Sequence, residues 1–416
     1  MFELEQSKQD SYINFLKENH LTALTIADPN CSIDFLPHKD AIIYNYFSKE
    51  NTHVAKLSFI IMNLLSPPIL ESFLSEDIII EKIAIILSAQ ECDDLLVSKI
   101  GAILMNIFIK CYKTSNEYIP LIFNLLKYLD NDNVFELLKL ITSPNLPIKS
   151  LREVLSKMNL GNYLLHEISD NNPTKIGNIC FIIRNCYKNQ ESNEYFSDND
   201  MVDAMTKMAK SKDIFVLNRV WQSITAICSE KTANLLGELL EIAKNISIHE
   251  IVNIHIYNVY VWDFLAKMVK MTNSEAISGD QELIQTAINL ILSYQNNSNL
   301  QGALFRFLRN SLEVPSSVQM IIQLLVPFMS MMVQENSWNP AIANCKLLFT
   351  DLQFSKLSNR QLSKAISSSS FSFTDININY IEPYFLKINS TYGGDSEKLT
   401  INRQLSFDTL KTINEE

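Results

Sequence analysis

The sequence predicts an all-α protein: an α-solenoid of stacked antiparallel helix pairs, armadillo/HEAT-like, followed by a weakly ordered C-terminal tail. Three observations carry that expectation. Apolar residues recur at helical spacing almost everywhere, as in Ile100, Ile103, Leu104, Ile107, Phe108 and Cys111, which fall on one helix face. Only 8 glycines occur in 416 residues, too few for the tight turns that sheet-rich and nucleotide-binding folds need. The links between apolar stripes are short and built from Asn, Ser and Asp, and links of that length make consecutive helices neighbours. A chain this long exceeds the size at which one core usually stops growing, so a core extended along one axis is the natural solution.

Start and stop signals divide the stripes into helices. Ser66 before Pro67 reads as an N-cap followed by proline at the first helical position, and Asn172 before Pro173 repeats the device. Asp213, Ser247 and Ser298 are further cap candidates, and Gly161 falls just after the turn that follows Met158. Ile78, Ile79, Ile80, Ile83, Ile85 and Ile86 nearly encircle their helix, which predicts cover on both sides. Val134, Leu137, Leu138 and Ile141 form a shorter stripe, and Ile321, Leu324, Leu325, Phe328, Met329 and Met332 a longer one. Pairing the helices gives units of roughly 35–45 residues, the size of HEAT or armadillo repeats. The helical domain is expected over residues 1–366. From 367 to 416 the chain is Ser/Asn-rich and polar, without a helical stripe, and a weakly ordered tail is expected there.

Composition narrows the function. A net charge of −11 argues against nucleic acid, whose phosphates demand a Lys/Arg surface. No apolar stretch approaches the ~18 residues of a membrane helix, and MFELEQSKQD lacks the basic start and apolar run of a signal peptide. The expectation is therefore a soluble protein of the cytoplasm, with the nucleus also open to it. The 7 cysteines are scattered and lack CxxC spacing, which fits reduced, buried thiols. Neither a phosphate-binding glycine loop nor a dinucleotide fingerprint is present. His249 and His255 lie six residues apart, about 240° around a helix, so they do not pair as metal ligands. Trp221, Trp262 and Trp338 sit at helical apolar positions and read as core. Glu91, Asp93 and Asp94 cluster at a helix start, where they complement the dipole. The reading is a protein that binds rather than one that reacts, with no catalytic residue, metal or cofactor. A helical enzyme would require a perturbed acid or histidine in a closed apolar pocket.

Several segments, in order, resemble the SAPS-domain family, the regulatory subunits of protein phosphatase 6. Asn45–Leu87 is similar to that family's early block, with a Leu-Ser break between two apolar helices. Leu125–Ser143 is similar to the block in which a Leu-Leu helix meets an acid-bearing one, and Leu151–Asn185 to the next, with its turn at Asn159–Leu160. In INLILSYQNNSNLQGALFRFL (Ile288–Leu308), Tyr294, Asn297 and Leu300 fit the family's aromatic-x-x-Asn-Asn-x-Leu-His hinge, while Ser298 and Gln301 stand where it has Asn and His. The resemblance implies a non-catalytic scaffold subunit that binds a Ser/Thr protein phosphatase catalytic subunit and directs it to substrates. A generic armadillo/HEAT adaptor in transport or complex assembly, with an acidic groove for basic cargo, is the alternative. Either way, Tyr294, Asn297 and Leu300 are candidates for closing the turn or for touching a partner. In the tail, Arg403 lies three residues before Ser406, a spacing that resembles the preference of basophilic kinases. Ser406 is thus a candidate phosphorylation site, against the simpler reading of a chance Arg-x-x-Ser.

Overall fold

The computed structural model describes residues 5–391 apart from 20, 51, 76, 90–91, 112–114, 144–148, 169–171, 189–194, 250–252, 336–338, 359 and 368–372. Helices, and no strands, make up its regular structure among the described residues. The chain divides into two compact units, Met1–Leu239 and Leu240–Glu416.

The first unit is organised around five helices: α1 (His53–Leu64), α2 (Asp94–Lys110), α3 (Asp132–Thr142), α4 (Pro173–Lys188) and α5 (Ile214–Ile227). Their starts lie 41, 38, 41 and 41 residues apart, and each packs on the next. A second row runs beside them, in which Ile78–Ser88 meets Ile119–Leu125 and Leu160–Glu167 meets Asp198–Met208. The second unit repeats the plan with α6 (Ile256–Thr272), α7 (Ser298–Leu312) and α8 (Pro340–Ser358), which start 42 residues apart and also pack in succession. Gln281–Ser293 and Val318–Gln334 form the accompanying row. The core runs between the rows. Ile100, Ile103, Leu104, Ile107, Phe108 and Cys111 of the α2 stripe are all fully buried. Trp221 and Trp262 are buried as the sequence suggests; Trp338 and Glu91 lie outside the described residues.

The caps explain why asparagine punctuates the ladder. The Asn131 Oδ1 accepts from the backbone N–H of Asn133 and Val134 at the start of α3, while its Nδ2 donates to Asp94 Oδ1 on α2 at 2.7 Å. At the start of α4, Asn172 accepts from Thr174 and Lys175 and donates to Asp130 at 2.9 Å. Asn339 accepts from Ile342 at the start of α8 and donates to Gln295 Oε1 at 2.9 Å. A carboxamide carries both an acceptor and a donor. Asparagine therefore caps its own helix and ties it to the preceding ladder helix or to the turn before that helix, which an ionised aspartate, an acceptor alone, cannot do. Asp93 and Asp213 cap α2 and α5 by accepting alone.

Several expectations need correction. Ser247 lies inside the helix Gly237–His249 instead of capping one, and the cap of α7 is Asn297, one residue before Ser298. The helix Ile78–Ser88 is not covered all round: Ile79, Ile83 and Leu87 are buried but Ile85 is 68% exposed, because the helix stands in the second row and packs on its neighbours through one face. Cys31 is exposed and Cys92 half-buried, while the other five cysteines are buried. Finally, part of the expected tail is helical. Phe373–Ile376 leads through a π-helical turn, Asn377–Ile381, into Glu382–Thr391. The apolar pair Ile376 and Ile381 is five residues apart, which a helical stripe search misses; the π turn brings both onto one buried side. The Lys346 Nζ of α8 sits 4.1 Å from the centre of the Tyr384 ring and fastens this helix further. Burial lowers the Lys346 pKa.

Among the described residues, no single helix is long and apolar enough to cross a membrane; one neighbouring pair, α1 with Pro67–Leu74, reaches that length and apolarity only together and is bent by 113°.

Candidate binding surface

The hinge singled out by the sequence joins Gln281–Ser293 to α7. Helix capping builds it. The N–H of Tyr294 still reaches Leu290 O, and its own carbonyl receives the N–H of Asn297 at 3.0 Å, which closes the turn. The Asn297 side chain then accepts from Leu300 N at 3.1 Å. Leu300 and Gln301 are fully buried. The Gln301 Nε2 donates back to the carbonyls of Ile291 and Tyr294, at 3.1 and 3.0 Å, so it staples the end of one helix to the start of the next. Gln301 is therefore a structural link in the hinge. Tyr294 is half-buried.

Asn297 also borders a groove of about 490 Å³ in the second unit, lined by His255, Tyr260, Asp263, Asn299, Gly302 and Arg306 among others. It lies where α6 and α7 begin, the ends at which a helix dipole is positive. Arg306 crosses it to Asp263 at 3.0 Å through Nε. One turn further along α7, Arg309 pairs with Asp351 of α8. Both arginines thus link one ladder helix to its neighbour. His255 precedes α6, with its backbone N–H on Asn258 Oδ1, and no group of three His, Cys, Asp or Glu among the described residues could hold a metal. Ser406 and Arg403 lie outside the described residues.

A second surface, in the first unit, escaped the sequence reading. Phe135 of α3 meets Phe181 of α4 edge to face, with ring centres 5.5 Å apart. The Arg184 guanidinium lies 4.2 Å from the centre of the Phe181 ring. Arg219 of α5 lies 5.2 Å from the same ring and 5.6 Å from Phe215. Lys139 sits over Phe135 and pairs with Glu136 at 2.8 Å. Gly177 makes room for the assembly: a Cβ there would fall 2.4 Å from the Phe215 ring. The signal was available in the sequence as an aromatic followed by a cation one turn later: Phe135 and Lys139, Phe181 and Arg184, Phe215 and Arg219. Cys180 and Cys186 of α4 are buried beside this face. Burial pushes Cys180 up to about 12 and also raises Cys186, so neither forms thiolate near neutral pH.

No protein-family signature matches the chain, and no curated protein matches it in sequence. A crystal structure of an engineered protein is similar in fold over 84% of this chain and 94% of its own, with 11% identity and a TM-score of 0.42. Likeness of that degree leaves the function to the chain's own residues.

Proposed function

We propose that this chain is a non-catalytic, solenoid-like scaffold that carries a protein partner, and that the partner is a Ser/Thr protein phosphatase catalytic subunit. The observation that supports a scaffold is the regular succession of ladder helices within each unit, at 38–42 residues per step, beside a second row. Stacking of that kind builds long exposed faces without closing a pocket. The phosphatase itself is supported by the order of sequence blocks that resemble the SAPS-domain family, the hinge at Tyr294, Asn297 and Leu300 included. In this reading Asn297 and Gln301 hold the ends of two helices, and the neighbouring groove is the contact face.

The test is affinity purification of the full chain from its own cells, followed by mass spectrometry. A phosphatase catalytic subunit recovered in near-stoichiometric amount supports the reading. If partners are recovered reproducibly and no phosphatase is among them, the chain is an adaptor of another kind.

A further inference from the structure

We infer that the aromatic–cation face of α3, α4 and α5 binds an acidic peptide, an extended segment of a partner protein with two or more carboxylates. The chain holds 46 acidic and 35 basic residues, so an acid for every exposed cation is easily found. Arg306 and Arg309 have theirs on neighbouring helices. Arg219 has none: its guanidinium makes no hydrogen bond or ion pair with any described residue, and its contacts are the rings of Phe181 and Phe215. An arginine laid over an aromatic face keeps its hydrogen-bonding edge turned away from the ring, in the fork geometry that receives a carboxylate. Phe215, 41% exposed, offers apolar area beside it.

The face is also fixed in shape. Phe181 is clamped between Phe135 and the two arginines, and Phe215 rests on the space that Gly177 leaves open. Ladder helices pack at roughly 8–10 Å, and an extended chain advances about 3.3 Å per residue. Carboxylates two or three residues apart therefore reach successive helices. Single-stranded nucleic acid, which also favours rings and arginines, is disfavoured by the net charge of −11.

This inference does not depend on which protein the scaffold carries, since it is tested on the purified chain alone. Phage bearing random dodecapeptides are selected on the intact protein and on Arg219→Ala. Enrichment of Asp- and Glu-bearing peptides on the native chain, lost on the variant, is the expected result. The best peptide should bind at least tenfold more weakly to Arg219→Ala, and more weakly to Arg219→Lys, which keeps the charge but not the fork. Replacing its Glu by Gln should weaken it similarly, and added salt should weaken it further. Circular dichroism and melting of each variant exclude misfolding, and Phe215→Ala supplies a second variant that leaves Arg219 in place. Selection without acidic enrichment, affinity for Arg219→Ala within twofold of the native value, or binding of oligo(dT) but of no peptide would each overturn the proposal.

Discussion

The two units use the same ladder of long helices and fasten it differently. In α6–α8 of the second unit, cations cross from helix to helix to meet carboxylates, Arg306 to Asp263 and Arg309 to Asp351. In α3–α5 of the first unit, Phe135 meets Phe181 across one step and Arg219 reaches the Phe181 ring across the next, where no described acid answers it. Ion pairs at this exposure are worth roughly 0–1 kcal/mol and weaken with salt, whereas ring contact works through area and shape. The difference teaches that Arg306 and Arg309, neutralised within the ladder, belong to the scaffold, while Arg219, resting on rings with no acid partner among the described residues, keeps its charge for something outside.

The buried half of each ladder should show the largest effects. Trp262 of α6, 1% exposed, meets Phe307 of α7 edge to face at 5.1 Å. Trp262→Ala should cost about 3–5 kcal/mol. Calorimetry should resolve an early transition if only the second unit is weakened; a single transition shifted as a whole would mean that the two units unfold together.

Glycines at matching positions sharpen the contrast. Gly177 and Gly302 are each the fifth residue of their helix. A Cβ on Gly177 strikes Phe215 at 2.4 Å, whereas one on Gly302 meets only the end of Arg306 at 3.4 Å. Gly177→Ala should destabilise by about 1–3 kcal/mol through overpacking. Gly302→Ala should stabilise by about 0.5–1 kcal/mol, the helix-propensity gain. Urea midpoints moving in the same direction for both would break the comparison.

Smaller effects follow at the hinge and the ion pairs. Asn297→Ala removes one cap and should cost about 1 kcal/mol, read from urea unfolding, with partner affinity retained; a loss of affinity at unchanged stability would make Asn297 a contact residue instead. Asp263→Asn should cost about 0.2–1 kcal/mol in low salt and nearly nothing in high salt. A cost that salt leaves untouched would show that the pair is packed rather than solvated.

Much of the fold was legible because each stripe obeys one period. Ile100 to Cys111 and Val134 to Ile141 are buried where helical spacing places them. The tail helix was hidden because Ile376 and Ile381 follow a five-residue step that the usual helical period does not contain. The all-round isoleucines of Ile78–Ser88 misled because sequence records apolarity, not the row in which a helix stands. The hinge was visible as a polar break between two stripes, and its Asn297 cap followed from residue type. Gln301 was not legible as a staple, since its two carbonyl acceptors lie on the preceding helix. The face at Phe181 stayed unseen for a similar reason: its parts come from three helices, and only their register brings Arg184 and Arg219 to one ring.

The π turn at Asn377–Ile381 bears on how this chain can change in length. A turn that closes over five residues instead of four carries one residue more than its α-helical counterpart, while the helix on either side keeps its facing. Loss of an exposed residue there, such as Ile378 at 56% exposure, would convert it to an ordinary turn and bring Ile376 and Ile381 to a four-residue spacing on the same side. Descendants of a common ancestor can therefore differ by one residue at this point, with Glu382–Thr391 left docked where it is, whereas the same deletion inside α4 would swing every residue beyond it by about 100°.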